Sequence, residues 1–229
     1  MSISNEERAA ETWEDDGGRN PHKTKSNPSQ AAVPAEYFTV RQFKIPDLKG
    51  ISRRNLDEHL ELYKGYVKFS NHIVQRIHEL PKDDETAAYE LSLLQRRFAY
   101  EHDGMRNHEL FFEQFEEGAA ACAPNGPFIQ QAAKDFGSFD ALVACLKGLA
   151  MTRGVGWVML YSCGEAKRLF PQWVDEHHIG LLTGPKIVFA LDMWEHAFVY
   201  DYATSEKKKY VEAVFSNLNW KKVEDRFSS

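Results

Sequence analysis

Between Ser52 and Leu80 the apolar residues Leu56, Leu60, Tyr63, Val67, Ile73 and Ile77 recur at helical spacing, on or near one face. This pattern predicts one long helix. Ser52 is placed as its N-cap, and it ends at Leu80 because a residue before proline disfavours the helical region. Asp83-Asp84-Glu85 restarts the chain with the acidic residues that suit a helix N-terminus. A second helix is expected from about Thr86 to Glu117, with Gly104 as a point where it can break. Two long helices joined by a short turn make an antiparallel hairpin.

After Gly126-Pro127 the pattern shortens. Phe128–Asp135 and Phe139–Met151 read as two helices, the second capped by Ser138. Strand formers then take over in Gly154–Tyr161. Arg168–Val174 is a second strand, assigned to a sheet edge by Pro171, and Lys186–Leu191 is a third. Glu206–Asn217 closes the chain as a helix. The expected fold is α+β: a long-helix hairpin at residues 37–125, then a domain at 126–229 with a three-stranded antiparallel sheet flanked by helices. Tyr37–Ile45 reads as an extended lead-in. Residues 1–36 are polar and carry no apolar stripe, so a disordered or loosely docked tail is expected there, with Trp13 its large apolar exception.

Composition narrows the function classes. The 229 residues are 43% hydrophobic and 13% aromatic, enough for one large core or two small ones. The formal net charge of -6, without a basic stripe, argues against a nucleic-acid partner. No apolar run approaches membrane-spanning length, and the N-terminus lacks the pattern of a secretory signal. Cys122, Cys145 and Cys163 are odd in number and show no C-x-x-C pairing. The expected compartment is therefore the reducing cytoplasm, with no membrane partner.

The densest candidate chemistry is Asp192-Met193-Trp194-Glu195-His196. On a turn of helix, residues four apart project to one side, so a carboxylate oxygen and an imidazole nitrogen could share one metal ion. The plain alternative is a helix start, with Asp192 as N-cap and His196 in the first turn. His59 and His108 lie one on each long helix, where an antiparallel pair can hold two inward histidines at one depth. A lone helical histidine among aromatics is more often a packed residue, and His72, His78 and His102 are read that way, or as exposed.

Several segments together resemble the iron/manganese superoxide dismutase family. Asp192–Ala197, with Phe198 and Tyr202, is similar to its D-x-W-E-H-A-[FY] signature, and Asn107–Phe112 to its N-H-x-x-F-[WF] segment. Asp135–Phe139, Gly156-Trp157, Asn219-Trp220, Val223 and Arg226-Phe227 match further stretches in the same order. The resemblance spans about Phe38 to Phe227. It implies one Mn or Fe ion held by His59, His108, Asp192 and His196, and the dismutation of superoxide to dioxygen and hydrogen peroxide. It implies a glutamine or histidine against the metal-bound solvent, for which His177 is the candidate and His178 the near rival. It also implies a tyrosine guarding the channel, assigned to Tyr66 with Tyr63 as runner-up, and a homodimer or dimer of dimers with Glu195 at the interface. Lys207 is a candidate for its cationic funnel residue, with an ordinary solvated lysine run as the alternative.

Some positions depart from the family. His59 and Tyr66 are seven apart, one residue fewer than usual, though still within about 20° of each other around a helix. The usual second histidine of the first helix is missing. So is its cross-interface tyrosine partner, replaced by Val199, while Met159 replaces a common tryptophan. A catalytically altered or structural member of the same fold is therefore the alternative function, and a peroxide-handling oxidoreductase a third. The four expected ligands leave Mn and Fe both open.

Overall fold

Ser52 begins the first helix as expected: its hydroxyl accepts the Asn55 N–H at 3.1 Å, meeting one of the donors a helix start leaves free. The computed structural model describes residues 36–229; the expectations for 1–35, Trp13 included, lie outside them. Helix α1 spans Arg53–Glu79 and stops at Leu80, before Pro81. Helix α2 spans Glu85–Glu113, where Asp84 accepts the N–H groups of Thr86 and Ala87. It runs through Gly104 unbroken and ends four residues short of the expected Glu117. The two form the antiparallel hairpin, tied near its turn by the exposed Arg76–Glu90 pair.

Helix α3 spans Pro127–Phe136, with proline in its first turn and a left-handed Gly137 (φ 88°) ending it. Helix α4 spans Phe139–Leu149, capped by Ser138. Strands β1 (Gly156–Cys163), β2 (Arg168–Asp175) and β3 (Lys186–Asp192) form one antiparallel sheet in the order β2-β1-β3. Pro171 therefore sits in an edge strand, where its missing N–H costs no ladder bond. Helix α5 spans Lys207–Asn217. A further helix, α6 (Trp220–Ser228), was not expected from periodicity, although Asn219 caps it and Trp220, Val223 and Phe227 mark one face.

One core joins the halves. Phe111, Phe112 and Phe115 of α2 are buried with Trp157 of β1, Phe189 of β3 and Val214 of α5. Fully burying such a side chain contributes about 1.5–3 kcal/mol. The free edge of β3 is closed by a side chain. The Gln114 amide accepts the Ala190 N–H at 2.9 Å and donates to the Ala190 carbonyl at 2.7 Å. This pins β3 to the end of α2, two residues before Asp192.

Candidate metal centre

His59 on α1 and His108 on α2 face one another at one depth of the hairpin, their rings 5.0 Å apart. Asp192 is the last residue of β3, and His196 lies in the short 3-10 turn Glu195–Ala197. The turn does not start at Asp192, so the N-cap alternative fails. Trp194 occupies that position, and Asp192 Oδ1 accepts the Trp194 N–H at 2.8 Å instead. Asp192 Oδ2 is left facing inward. It lies 3.1 Å from Nε2 of His59, 3.1 Å from Nε2 of His196 and 3.4 Å from Nε2 of His108. One donor atom from each of the four residues lies within 4.8 Å of every other. The Tyr210 hydroxyl holds the Asp192 carbonyl at 2.9 Å from behind.

The donor chemistry fits a cation. His108 Nδ1 is 2.6 Å from the Gly104 carbonyl, an acceptor only, so the proton is on Nδ1. His108 Nε2 then presents a lone pair, fully buried and without a hydrogen-bond partner, toward a carboxylate oxygen. Two acceptors aimed at each other in a dry site repel unless positive charge lies between them. Burial holds the His59 and His108 imidazoles below their ordinary range. For Asp192, burial pushes the carboxyl up, but His196 and His59 outweigh it and hold it well below the carboxylate range. Neutral imidazoles and an ionised carboxylate are the states a divalent or trivalent ion needs. Three nitrogens, one oxygen and no thiolate suit Mn or Fe.

His177 and Tyr66 meet beside this cluster. His177 is buried at the turn after β2, and its Nε2 lies 2.7 Å from the Tyr66 hydroxyl. Its other nitrogen accepts the Trp157 indole N–H at 3.0 Å, and its carbonyl accepts from Asn107 at 2.8 Å. Burial pushes the His177 imidazole down to about 4. The His178 ring lies 5.7 Å from that of Tyr100. Tyr63 turns the other way, accepting from the Arg41 N–H and donating to Glu109.

Helix α1 is regular throughout, with no bulge, which accounts for the seven-residue spacing from His59 to Tyr66. Gly104 makes room for that tyrosine: a Cβ there would lie 2.7 Å from Tyr66 Cδ1. Lys207 is tied down, donating to the Thr152 carbonyl at 2.7 Å with its Nζ 5.5 Å from the Trp173 ring centre. His72 and His78 are exposed, and His102 pairs with Asp103. Sequence reasoning missed Trp157, Asn107, Tyr100, Tyr210 and Gln114 as neighbours of the site. Trp157 and Asn107 stood inside motifs already singled out; no local pattern marked the other three.

Residues 124–226 match the family described as iron/manganese superoxide dismutases, C-terminal domain. The iron superoxide dismutase of Methanothermobacter thermautotrophicus is 32% identical over 181 residues, covering 77% of this chain and 86% of that relative. That of Aquifex pyrophilus is 31% identical over 189 residues, covering 80% and 87%. A manganese superoxide dismutase of Haloarcula marismortui is 31% identical over 120 residues, covering 52% of this chain and 58% of the relative. The two long matches reach across both the helical hairpin and the sheet, so the likeness is not confined to the C-terminal half. The chain belongs to the iron/manganese superoxide dismutase family.

Proposed function

We propose that this protein is a superoxide dismutase in which His59, His108, Asp192 and His196 hold a single Mn or Fe ion. Such an ion supplies a one-electron couple, able to oxidise one superoxide to dioxygen and reduce a second to hydrogen peroxide. The protein's own task is to hold four donors rigid, exclude bulk water, admit a small anion and keep protons within reach. The observation that carries this reading is the His108 Nε2 lone pair aimed at Asp192 in a dry site.

His177 and Tyr66 are the groups proposed to work beside that centre. Trp157 and Asn107 fix the His177 ring and backbone, and the Tyr66 hydroxyl is hydrogen-bonded to the ring. His177 orients what binds beside the metal ion, and Tyr66 supplies a proton to reduced substrate. The test pairs metal analysis of natively purified protein with a superoxide decay assay. About one Mn or Fe per chain is expected, with rapid decay lost in His196→Ala. A full complement of metal without superoxide decay would point to the altered member of the fold.

The proposed assembly is a homodimer, or a dimer of dimers, with Glu195 reaching the partner's metal site. Glu195 is exposed one residue before His196 and makes no ion pair among the described residues. The proposed compartment is the cytoplasm, on the strength of three free cysteines. No helix among the described residues is long and apolar enough to cross a membrane.

A further inference from the structure

We infer that Asn55 is a positioning residue for the metal centre: by holding the Ala197 carbonyl it sets where His196 stands relative to His59. The inference rests on the proposed ligand set and deepens it.

Of the four donors, His196 has the least regular backbone beneath it. His59 and His108 stand on long helices and Asp192 ends a paired strand, whereas His196 stands in a 3-10 turn of three residues. Hydrogen bonds in such turns have poorer geometry, so the place of the ring depends on what fastens the turn from outside. Three hydrogen bonds tie the segment after His196 to the start of α1. The Ser52 N–H donates to Asp201 Oδ2 at 2.7 Å, the Tyr202 hydroxyl donates to the Gly50 carbonyl, and Asn55 Nδ2 donates to the Ala197 carbonyl at 2.7 Å. The first two are exposed, where water can replace either partner, and the third is buried. Asn55 lies about one helical turn before His59, and Ala197 follows His196 directly. The His59 and His196 rings are 5.1 Å apart. The Asn55 bond therefore joins the backbones beneath two donors that belong to different elements.

The other end of the same amide separates positioning from stability. Asn55 is 2% exposed, its backbone N–H is held by the Ser52 cap, and its Oδ1 is buried without a hydrogen-bond partner among the described residues. A buried amide that leaves one polar atom unpaired forfeits much of what its other hydrogen bond contributes. A leucine, branched at the same carbon, would remove the unpaired oxygen but orphan the Ala197 carbonyl, so the change in overall stability is small. What is lost is the direction of the turn, and with it the fit of His196 to a shared ion.

The test starts with metal-free, full-length protein labelled with nitrogen-15. In wild type the Asn55 side-chain amide protons are expected to exchange slowly with water; free exchange would overturn the inference. In Asn55→Leu, backbone exchange at Phe198 and Val199, whose N–H groups close the turn on the Glu195 carbonyl, is expected to quicken about tenfold. An unchanged rate sinks the proposal. Loaded with Mn, the variant is expected to release the ion about tenfold faster than wild type. The zero-field splitting of its electron paramagnetic resonance signal is expected to change as well. Leu142→Ala, which removes a buried side chain of α4, is the control. It should lower the melting temperature further than Asn55→Leu does, and leave the splitting and the turn as in wild type. Equal effects from the two variants would make Asn55 a structural residue only and overturn the inference. The wild-type exchange needs neither metal nor a folded variant, so it decides the tie to the turn whether or not the loaded protein removes superoxide.

Discussion

At the scale of single residues, Gly104 separates two physical effects of opposite sign. In a helix interior, alanine is favoured over glycine by about 1 kcal/mol. Here an added Cβ would lie 2.7 Å from Tyr66 Cδ1 and 2.9 Å from Cε1. That ring cannot easily retreat, because its hydroxyl is bound to His177 and its face lies 5.0 Å from the His108 ring. Overpacking of this kind costs about 1–3 kcal/mol, so the clash is expected to outweigh propensity. Gly104→Ala should lower stability by up to roughly 2 kcal/mol, the difference between those effects. Superoxide turnover should fall with it, as Tyr66 is pushed off His177. Urea melts and the decay assay together check this; a variant more stable than wild type would show that the ring has room to move. The same position explains why the histidine beside the centre arrives from the turn after β2. A longer side chain on α2 at this point would occupy the space of Tyr66.

At the scale of elements, the site depends on how β3 is fastened. Its inner edge pairs with β1, with Trp157 opposite Asp192. Its outer edge has no neighbouring strand among the described residues and is completed at Ala190 by the Gln114 amide. Arg226 of α6 adds bonds to the carbonyls of Leu110 and Val188 and to Glu113, fastening the C-terminus across the same seam. Gln114→Leu would keep the bulk but leave the buried N–H and C=O of Ala190 unpaired. At about 1–3 kcal/mol for each orphaned group, a loss of roughly 2–6 kcal/mol is expected. Metal retention on dialysis should drop as well, since Asp192 is two residues farther along. Matched denaturation curves and metal contents test both, and a loss under 1 kcal/mol would mean the strand edge does not need this partner.

At the scale of the whole molecule, the exposed surface around the last histidine is the informative region. His196 keeps 24% side-chain exposure while His59, His108 and Asp192 are buried. Glu195, Val199 and Tyr200 lie exposed on the same stretch of chain. The proposed dimer would cover it and bring a carboxylate to the partner's histidine. Glu195→Ala is then expected to shift sedimentation toward monomer and to reduce bound metal together. A dimer of normal affinity with full metal content would defeat the assignment.

The α+β class, the hairpin and all three strands were legible in the sequence, because each depends on a local period, a cap or a breaker. Ser52, Asp84 and Ser138 start helices, Pro81 and Gly137 stop them, and Pro171 marks an edge strand. Helix α6 was less legible, since nine residues give a period too few repeats to stand out. The resemblance nominated four donors at widely separated positions, but nothing local says that they meet. Only the packing of α1 and α2 against the end of β3 brings their atoms within 4.8 Å of one another. The surroundings of His177 lay further from view: Tyr66 comes from α1, Asn107 from α2 and Trp157 from β1. Periodicity reports which face of an element is buried. It cannot report which donor on one buried face will meet which acceptor on another, because that is settled only when the elements pack.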